Sequence, residues 1–347
     1  MTSRQRLLCA LRLGTPDRVP VAPFGMGTID PESELGQQLI ECTDIFLDVY
    51  CEGDAVLGRA ARVHTETAGD QTITVYETPQ GPLQSVTRRT AITSAQVKFA
   101  CQSPEDADNI LAVPYEPVQV DTHKYHCWSE KLGEKGLVLV SSGDGVNWVA
   151  ELFSPQDFCL LWADAPQKMI EFVEVATERL CYHYRQLCEA GVKALRIYGG
   201  EYVSVQLGPQ AYQQLVVEPD RRLVDIVHEC DGITYFHNHG LMTRYYDQLL
   251  QIGIDAIDPL EAPPWGDCDI AEAKQRIGHR ICLVGNLDDM EVLSKLPTET
   301  VLQMGRELIE KAGPDGFILG GTAAGPYTEL AARTFIALAE LSAQMAG

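Results

Sequence analysis

The chain has 347 residues, of which 45% are hydrophobic and 22% charged, the composition of an ordinary globular protein. Its 49 acidic and 27 basic residues give a formal net charge of −22, which argues against nucleic acid and anionic membranes as partners. No stretch approaches the roughly 20 apolar residues that span a bilayer, and the first residues lack a cleavable signal pattern. The 11 cysteines include no Cys-x-x-Cys pair, which indicates reduced thiols and a cytoplasmic protein.

The first hundred residues combine helical and hairpin patterns. The spacing of Leu7, Leu8, Leu11 and Leu13 predicts an amphipathic N-terminal helix, and a strand is expected near Val19. Residues 39–57 are mostly helical in pattern. Residues 62–90 alternate Thr, Val, Tyr and Ile around turn sequences, which predicts an inserted β-hairpin.

From residue 136 onward, short apolar runs alternate with amphipathic helical stretches. The runs cover residues 136–144, 192–201, 232–240, 254–261, 280–288 and 316–325. Such alternation predicts a parallel sheet covered by helices. With the strand near Val19, the pattern favours one (β/α)8 barrel of the TIM type over residues 1–347. No Gly-x-Gly-x-x-Gly follows the first strand, so an open dinucleotide-binding sheet fits less well.

Ionisable residues are concentrated at the carboxyl ends of the predicted strands. In a (β/α)8 barrel these ends form the face that carries the functional groups. The sequence therefore predicts a polar, catalytic mouth, and the residues at these ends are Asp144, Glu201, His237, His239, Asp258, Glu261, Asn286, Asp288 and Thr322.

Two histidines at the end of one run raise the question of a metal. Side chains alternate along a strand, so His237 and His239 are expected on one face and Asn238 on the other. Glu201, Glu218 and His239 are candidate zinc ligands, because neighbouring strand ends meet at one rim. The alternatives are hydrogen-bonded core histidines and a Glu218 that simply begins a helix.

Glu201 has an alternative of its own, a salt bridge to Arg196 or another base. What favours the metal is the convergence of all three candidates on one rim. No single residue among them would carry that interpretation.

Three stretches resemble the uroporphyrinogen decarboxylase superfamily: residues 4–24 (RQRLLCALRLGTPDRVPVAPF), 285–289 (GNLDD) and 316–338 (GFILGGTAAGPYTELAARTFIAL). The resemblance runs over nearly the whole chain and implies a barrel. The decarboxylases carry an Arg-Gln-Ala-Gly-Arg motif after the first strand, which binds the carboxylates of their substrate. Here the matching residues 25–33 (GMGTIDPES) contain no arginine, so a decarboxylase is not expected.

The corrinoid-dependent methyltransferases are the other large branch. Members that methylate coenzyme M bind zinc through His-x-Cys and a distant cysteine, whereas this chain has His237-Asn238-His239 and Thr322 at those places. The spacing of Glu201, Glu218 and His239 is similar to the Glu, Glu, His zinc set of the methyltransferase I component of aryl methyl ether O-demethylases, with a slightly longer first gap. Carboxylate and imidazole ligands also leave zinc more Lewis-acidic toward an ether oxygen than thiolates do.

The resemblance implies a zinc-dependent methyltransferase that moves a methyl group from a methoxylated aromatic, of guaiacol, vanillate or veratrole type, to a corrinoid (cobalamin). No Asp-x-His-x-x-Gly signature occurs, so the corrinoid is expected on a separate partner protein. His237 would be a proton donor or support a zinc ligand. Trp148 and Tyr202 are candidates to stack on the aromatic ring, with ordinary barrel packing as the alternative. A homodimer is compatible with this interpretation.

Two other functions compete with this one. The first is a metal-independent enzyme, either a methyltransferase for methylated amines or a decarboxylase-like lyase. The second is a non-catalytic subunit that docks a corrinoid protein and tolerates alanine at the mouth.

Overall fold

The computed structural model describes residues 1–90, 94–322 and 327–346. Its strands are β1 Val21–Ala22, β2 Ile45–Val49, β3 Val63–Ala68, β4 Gln71–Tyr76, β5 Leu83–Arg89, β6 Ser94–Lys98, β7 Gly136–Gly143, β8 Ala194–Tyr198, β9 Ile233–His237, β10 Ala256–Asp258, β11 Cys282–Asn286 and β12 Phe317–Gly320. Within these residues, eight parallel strands form a nearly closed barrel in the order β1-β12-β11-β10-β9-β8-β7-β2. The predicted (β/α)8 barrel is confirmed. Residues 323–325 of the last predicted run lie outside the described residues.

The barrel closes between β1 and β2. The backbone N–H of Phe46 donates to the carbonyl of Pro23 at 3.0 Å, and Gly25 donates to the carbonyl of Phe46 at 2.7 Å. This corrects the helical prediction for residues 39–57, because the helix ends at Cys42 and Ile45–Val49 is a strand. A short apolar run fits either element, and pairing with β7 decides for the strand.

The residues with the predicted hairpin pattern lie in a separate antiparallel sheet. Its strands follow the order β3-β4-β5-β6, and residues 62–90 cover the first three of them. The residues of β3 are all exposed. The sheet therefore has two strands more than the predicted hairpin.

Helices cover the outside of the barrel. The longest, α7, packs against both α5 and α10. No helix in the described ranges combines the length and apolarity that a membrane crossing requires. The helices are α1 Ser3–Leu11, α2 Glu34–Cys42, α3 Pro104–Leu111, α4 His123–Leu132, α5 Gly145–Leu152, α6 Pro155–Asp164, α7 Pro166–Glu189, α8 Glu201–Gln206, α9 Pro209–Tyr212, α10 Glu218–Glu229, α11 Tyr246–Ile252, α12 Ile270–Arg276, α13 Thr298–Ala312 and α14 Glu329–Met345.

The N-terminal helix α1 is present as predicted. Thr2 and Gln5 form a capping box at its start, which satisfies two backbone N–H groups. Leu7 and Leu11 are fully buried in one cluster with barrel-interior side chains such as Tyr235. This cluster forms a core inside the barrel, so the polar groups are left to the strands' carboxyl ends.

Candidate functional site

The last residues of β9 and β10 face each other at the mouth of the barrel. His237 and Asp258 are partners in the parallel register of these strands. Nδ1 of His237 lies 2.9 Å from Oδ1 of Asp258, and both side chains are buried. Because an ionised carboxylate only accepts hydrogen bonds, this contact places the imidazole proton on Nδ1.

A second histidine–carboxylate pair lies directly beside the first. Nδ1 of His239 is 2.9 Å from Oε1 of Glu261, and Oε2 of the same carboxylate accepts the backbone N–H of Gly240 at 3.0 Å. The rings of His237 and His239 are nearly perpendicular, with centroids 4.6 Å apart. The His239 side chain is 30% exposed, against 8% for His237, so His239 is the imidazole that a bound molecule reaches first.

The His239–Glu261 pair differs from a simple core arrangement in its electrostatics. Burial by itself lowers the pKa of His239, but the hydrogen bond and the charge of Glu261 outweigh burial and raise that pKa above its ordinary value. The charges of Asp258 and Glu201 act in the same direction. Burial opposes ionisation of Glu261, and the contact with His239 nevertheless lowers the pKa of that carboxyl. Glu261 therefore stabilises the protonated form of His239, which carries a proton on Nε2 as well as on Nδ1.

Asn238 points away from this pair of rings, as the alternation predicted. Its side-chain amide donates to Ser204 Oγ at 2.9 Å, and its carbonyl oxygen accepts the Tyr212 hydroxyl at 3.1 Å. Both contacts lie among the helices that follow β8. They hold the turn after β9 and so fix the direction of the two histidines.

The three predicted zinc ligands do not come together. Glu201 begins α8, and its Oε2 accepts the backbone N–H of Gly199 at 3.0 Å. Its charge reaches His239, whereas Glu218 begins α10 as an exposed residue without a recorded contact to either. In the described ranges, no group of three or more His, Cys, Asp or Glu side chains is arranged to hold a metal ion. The donor set Glu201, Glu218 and His239 does not fit zinc as arranged.

Two buried carboxyl groups lie behind Glu201. Asp144 follows β7 and accepts the N–H of Asn147 at 2.7 Å, and Asp220 lies in α10. Oδ2 of Asp144 and both oxygens of Asp220 are sealed from solvent, with no hydrogen-bond partner in the described residues unless one carboxyl is protonated. Burial raises the pKa of each carboxyl well above its ordinary value, and Asp144 raises that of Asp220 further. The two carboxyl groups therefore share a proton.

A cavity of about 350 Å³ opens at the carboxyl ends of β2, β7 and β8. Tyr198, which is the register partner of His237, lines it, so the cavity lies one strand away from the two histidine pairs, whose four residues do not line it. Trp148 is 7% exposed and also lines the cavity. Tyr202 lies in the first turn of α8, half-buried against the hydrophobic core, and is not among the lining residues.

Sequence reasoning missed three residues of this site. Asp258 and Glu261 were identified only as polar strand ends and not as partners of the histidines. Arg196 was considered only as a partner of Glu201, yet it makes no ion pair with any carboxylate in the described residues. A signal for the first pair existed, since two neighbouring parallel strands end in His237 and Asp258.

The sequence of this chain matches one family model, uroporphyrinogen decarboxylase (URO-D), over residues 149–331, which is just over half of it. Two curated relatives are uroporphyrinogen decarboxylases. That of Trichodesmium erythraeum is 27% identical over 159 residues, covering 44% of this chain and 41% of the relative. That of Pseudomonas syringae pv. tomato is 29% identical over 193 residues, covering 52% and 51%. The chain thus spans about half the length of the curated relatives it matches.

A solved structure is similar over the whole chain. A methyltransferase from Methanosarcina mazei superposes with a TM-score of 0.65 and 15% sequence identity, covering 98% of each chain. At this identity the likeness establishes the shared fold alone. The matching regions include the strands that carry Arg196, His237 and Asp258.

Proposed function

We propose that the chain is an enzyme that transfers a methyl group from the oxygen of a methoxylated aromatic to a corrinoid carried by a partner protein. The premise is that the chain belongs to the uroporphyrinogen decarboxylase (URO-D) family. The observation that carries the proposal is the His239–Glu261 pair at the barrel mouth. It supports a proton donor where a leaving oxygen would need one. The methyltransferase of the same fold is in keeping with this choice within the family.

The chemistry assigned to the chain's own residues is acid catalysis. The bond between the ether oxygen and the methyl carbon breaks, the methyl group passes to the acceptor, and the oxygen keeps the electron pair. The proton on Nε2 of His239 neutralises that oxygen, and Glu261 holds the ring through Nδ1 while it does so. A reduced corrinoid, when its protein docks, supplies the nucleophile. No step is assigned to zinc.

His237 and Asp258 have a supporting role in this scheme. They are more deeply buried than His239 and Glu261, and the ring of His237 packs edge-on against that of His239. This packing limits rotation of His239 and keeps its Nε2 directed at one position. Positioning of this kind lowers the activation barrier because the proton donor and the leaving oxygen are already correctly oriented.

The test is methyl transfer from 4-methoxyphenol and methoxybenzoates to a reduced corrinoid protein, followed by the corrinoid's absorbance and by release of the phenol. His239→Gln is expected to lower kcat by roughly a hundred- to ten-thousand-fold. His279→Gln is the matched control, because His279 is exposed and lies before β11, outside the site. Equal rates for wild type and His239→Gln would contradict the proposal, as would transfer that needs no methoxy group.

A methylated amine is the second candidate, favoured by the lining of the cavity. Tyr50 and Tyr198 lie edge to face there, and the carboxyl groups of Asp54 and Glu151 share the lining. Aromatic and acidic groups together attract a quaternary ammonium ion. Ligand-detected NMR with tetramethylammonium and 4-methoxyphenol separates the candidates: binding of the ammonium alone would favour the amine.

Decarboxylation of a porphyrinogen follows from the relatives' names and is the third candidate. It is weakened by the absence of arginine from residues 25–33, since several carboxylates would lack a partner there. Release of CO₂ from uroporphyrinogen by the purified chain would establish it in place of methyl transfer.

A further inference from the structure

Arg196 is a buried cation that lacks a counter-ion. It lies in the middle of β8 and is 7% exposed. No carboxylate oxygen of the described residues lies within 4.0 Å of its guanidinium nitrogens, the distance limit for an ion pair. The Nε of Arg196 also has no hydrogen-bond partner in the described residues. A buried charge is costly unless it is paired, so a fold has no structural reason to retain it in this state.

The surroundings of Arg196 hold the guanidinium in place without neutralising it. Its central carbon lies 4.7 Å from the ring centroid of Phe24 and 5.8 Å from that of Tyr198. Stacking on aromatic faces stabilises a guanidinium and fixes its plane, and it leaves the N–H groups at the edge of the plane available. Phe24 belongs to the segment that closes the barrel, and Tyr198 lines the cavity, so the guanidinium lies next to the cavity although Arg196 is not one of its lining residues.

The other buried arginine of the described residues, Arg6, is paired with carboxylates, as is the half-buried Arg18 beside it. Arg6 donates to Asp44 at 2.6 Å and to Asp17 at 2.6 Å, and Arg18 lies 2.8 Å from Asp44. These two residues form a paired network at the other end of β1. Arg196 therefore differs from Arg6, the other buried arginine, and its missing partner points to a molecule that is bound from outside.

We infer that Arg196 binds a carboxylate of the substrate, so that the preferred methyl donor is a methoxylated aromatic acid. The planar guanidinium matches a carboxylate with two parallel hydrogen bonds, and its stacking over Phe24 and Tyr198 fixes the plane in which those bonds would form. Tyr198 is also the register partner of His237, which connects this end of the ligand with the proton donor's side of the mouth. The inference names the substrate class of the proposed function and rests on it.

The same cation argues against the ammonium ligand considered above. A quaternary ammonium ion at the face of Tyr198 would approach the guanidinium that already lies over that ring. Like charges in a largely buried site repel strongly because water does not screen them. An anionic ligand instead neutralises Arg196 on binding.

The experiment compares 4-methoxybenzoate with its neutral counterpart 4-methoxybenzamide by isothermal titration calorimetry on the purified chain without a partner protein. Wild type is expected to bind the acid roughly ten- to a hundred-fold more tightly than the amide, the range of a hydrogen bond to a charged group. Arg196→Met should lose this preference, and Arg196→Lys should keep part of it, because lysine keeps the charge without the planar fork. Equal affinities in wild type, or an unchanged preference in Arg196→Met, would overturn the inference.

Thermal unfolding shows whether Arg196 has a structural role instead. Arg196→Met should melt at the same temperature as wild type or higher, because an unpaired buried charge is removed. Arg6→Met is the matched control and should melt lower, because it leaves Asp44 with one partner fewer. A loss in Arg196→Met as large as that in Arg6→Met would assign Arg196 to the fold and contradict the inference.

Failure of this inference and failure of the proposed function have different signatures. If the acid is preferred through Arg196 but no methyl group reaches a corrinoid protein, the function is wrong and the carboxylate site stands. If transfer proceeds equally from 4-methoxybenzoate and 4-methoxybenzamide, the function stands and the carboxylate site is wrong.

Discussion

His239 and Glu261 share one hydrogen bond of 2.9 Å between Nδ1 and Oε1, and the carboxylate is held from its other side by the N–H of Gly240. The imidazole therefore has one nitrogen fixed by the protein and one directed to the mouth. The contact raises the pKa of His239 and lowers that of Glu261, against the effect of burial on both. His239 is mostly protonated, and so able to donate a proton, at pH values below its raised pKa.

Replacing Glu261 should change the titration of His239. In Glu261→Gln the neutral amide no longer stabilises the imidazolium, so burial dominates and the pKa of His239 should fall below that of wild type, which lies above 6.5. NMR titration of the His239 ring protons measures both values. Methyl transfer should decline as the pH rises through the pKa of His239, and this decline should begin at lower pH in the variant. An identical titration in both proteins would show that Glu261 does not act on His239.

The same pair should stabilise the fold within a limited pH window. The His239 contribution is complete below the unfolded value of 6.5 and is lost as the pH rises through the raised folded pKa. The Glu261 contribution is present above the unfolded value of 4.5 and is lost as the pH falls through the lowered folded pKa. The difference in unfolding free energy between wild type and Glu261→Gln, measured by urea unfolding, should therefore be largest between these limits. A difference that does not vary with pH would contradict the ion pair.

Glu218 should be dispensable for metal content and for ligand binding. It is exposed at the first position of α10 and has no recorded contact with Glu201 or His239. Zinc per chain in purified wild type, Glu218→Ala and His239→Ala is measured by atomic emission. Equal zinc content in wild type and Glu218→Ala is the expected result, whereas loss of bound zinc in Glu218→Ala would restore the predicted Glu, Glu, His set.

Asp220 should make the fold less stable as the pH rises. Its folded pKa is raised, so the native state binds the shared proton more tightly than the unfolded chain does, and stability falls as the pH increases above the unfolded value of 3.8. Asp220→Asn removes that dependence and should stabilise the protein by roughly 1–3 kcal/mol near pH 8, with a smaller gain near pH 5. Urea unfolding at both pH values provides the measurement.

The matched control for this change lies on the same helix. Asp225 is exposed in α10, so Asp225→Asn should alter stability little at either pH. A gain in Asp220→Asn that is the same at both pH values would mean that the two carboxyl groups do not share a proton.

Asp44 should be essential to barrel closure. It is fully buried, lies 2.6 Å from Arg6 and 2.8 Å from Arg18, and accepts the N–H of Val21 at 3.0 Å. Asp44→Asn removes the negative charge beside the largely buried guanidinium groups of Arg6 and Arg18. It should lower the unfolding free energy by about 3–5 kcal/mol. Asp231→Asn breaks the exposed pair with Arg12 and should have little effect. Similar losses in the two variants, measured by urea unfolding, would count against the buried network.

The barrel itself could be predicted from the sequence because its signals are local. Apolar runs such as Ile233–His237 alternate with amphipathic helices, and the period of each is encoded in neighbouring residues. The polar strand ends could be predicted for the same reason, since a strand that ends in His237 places its last residue at a known face of the barrel. Strand β2 was missed, because a five-residue run with four apolar residues satisfies a helix and a strand equally well.

Only the tertiary structure decided which polar groups are partners. The absence of Glu218 from the contacts of His239 depends on how the short helices between β8 and α10 pack, which no spacing along the chain specifies. The pairing of His237 with Asp258 depends on the register of two strands that are 21 residues apart. The lack of a counter-ion for Arg196 depends on the whole barrel, because it is a property of all the side chains that surround the guanidinium. Packing in three dimensions determines contacts of this kind, and the residue pattern along the chain does not specify them.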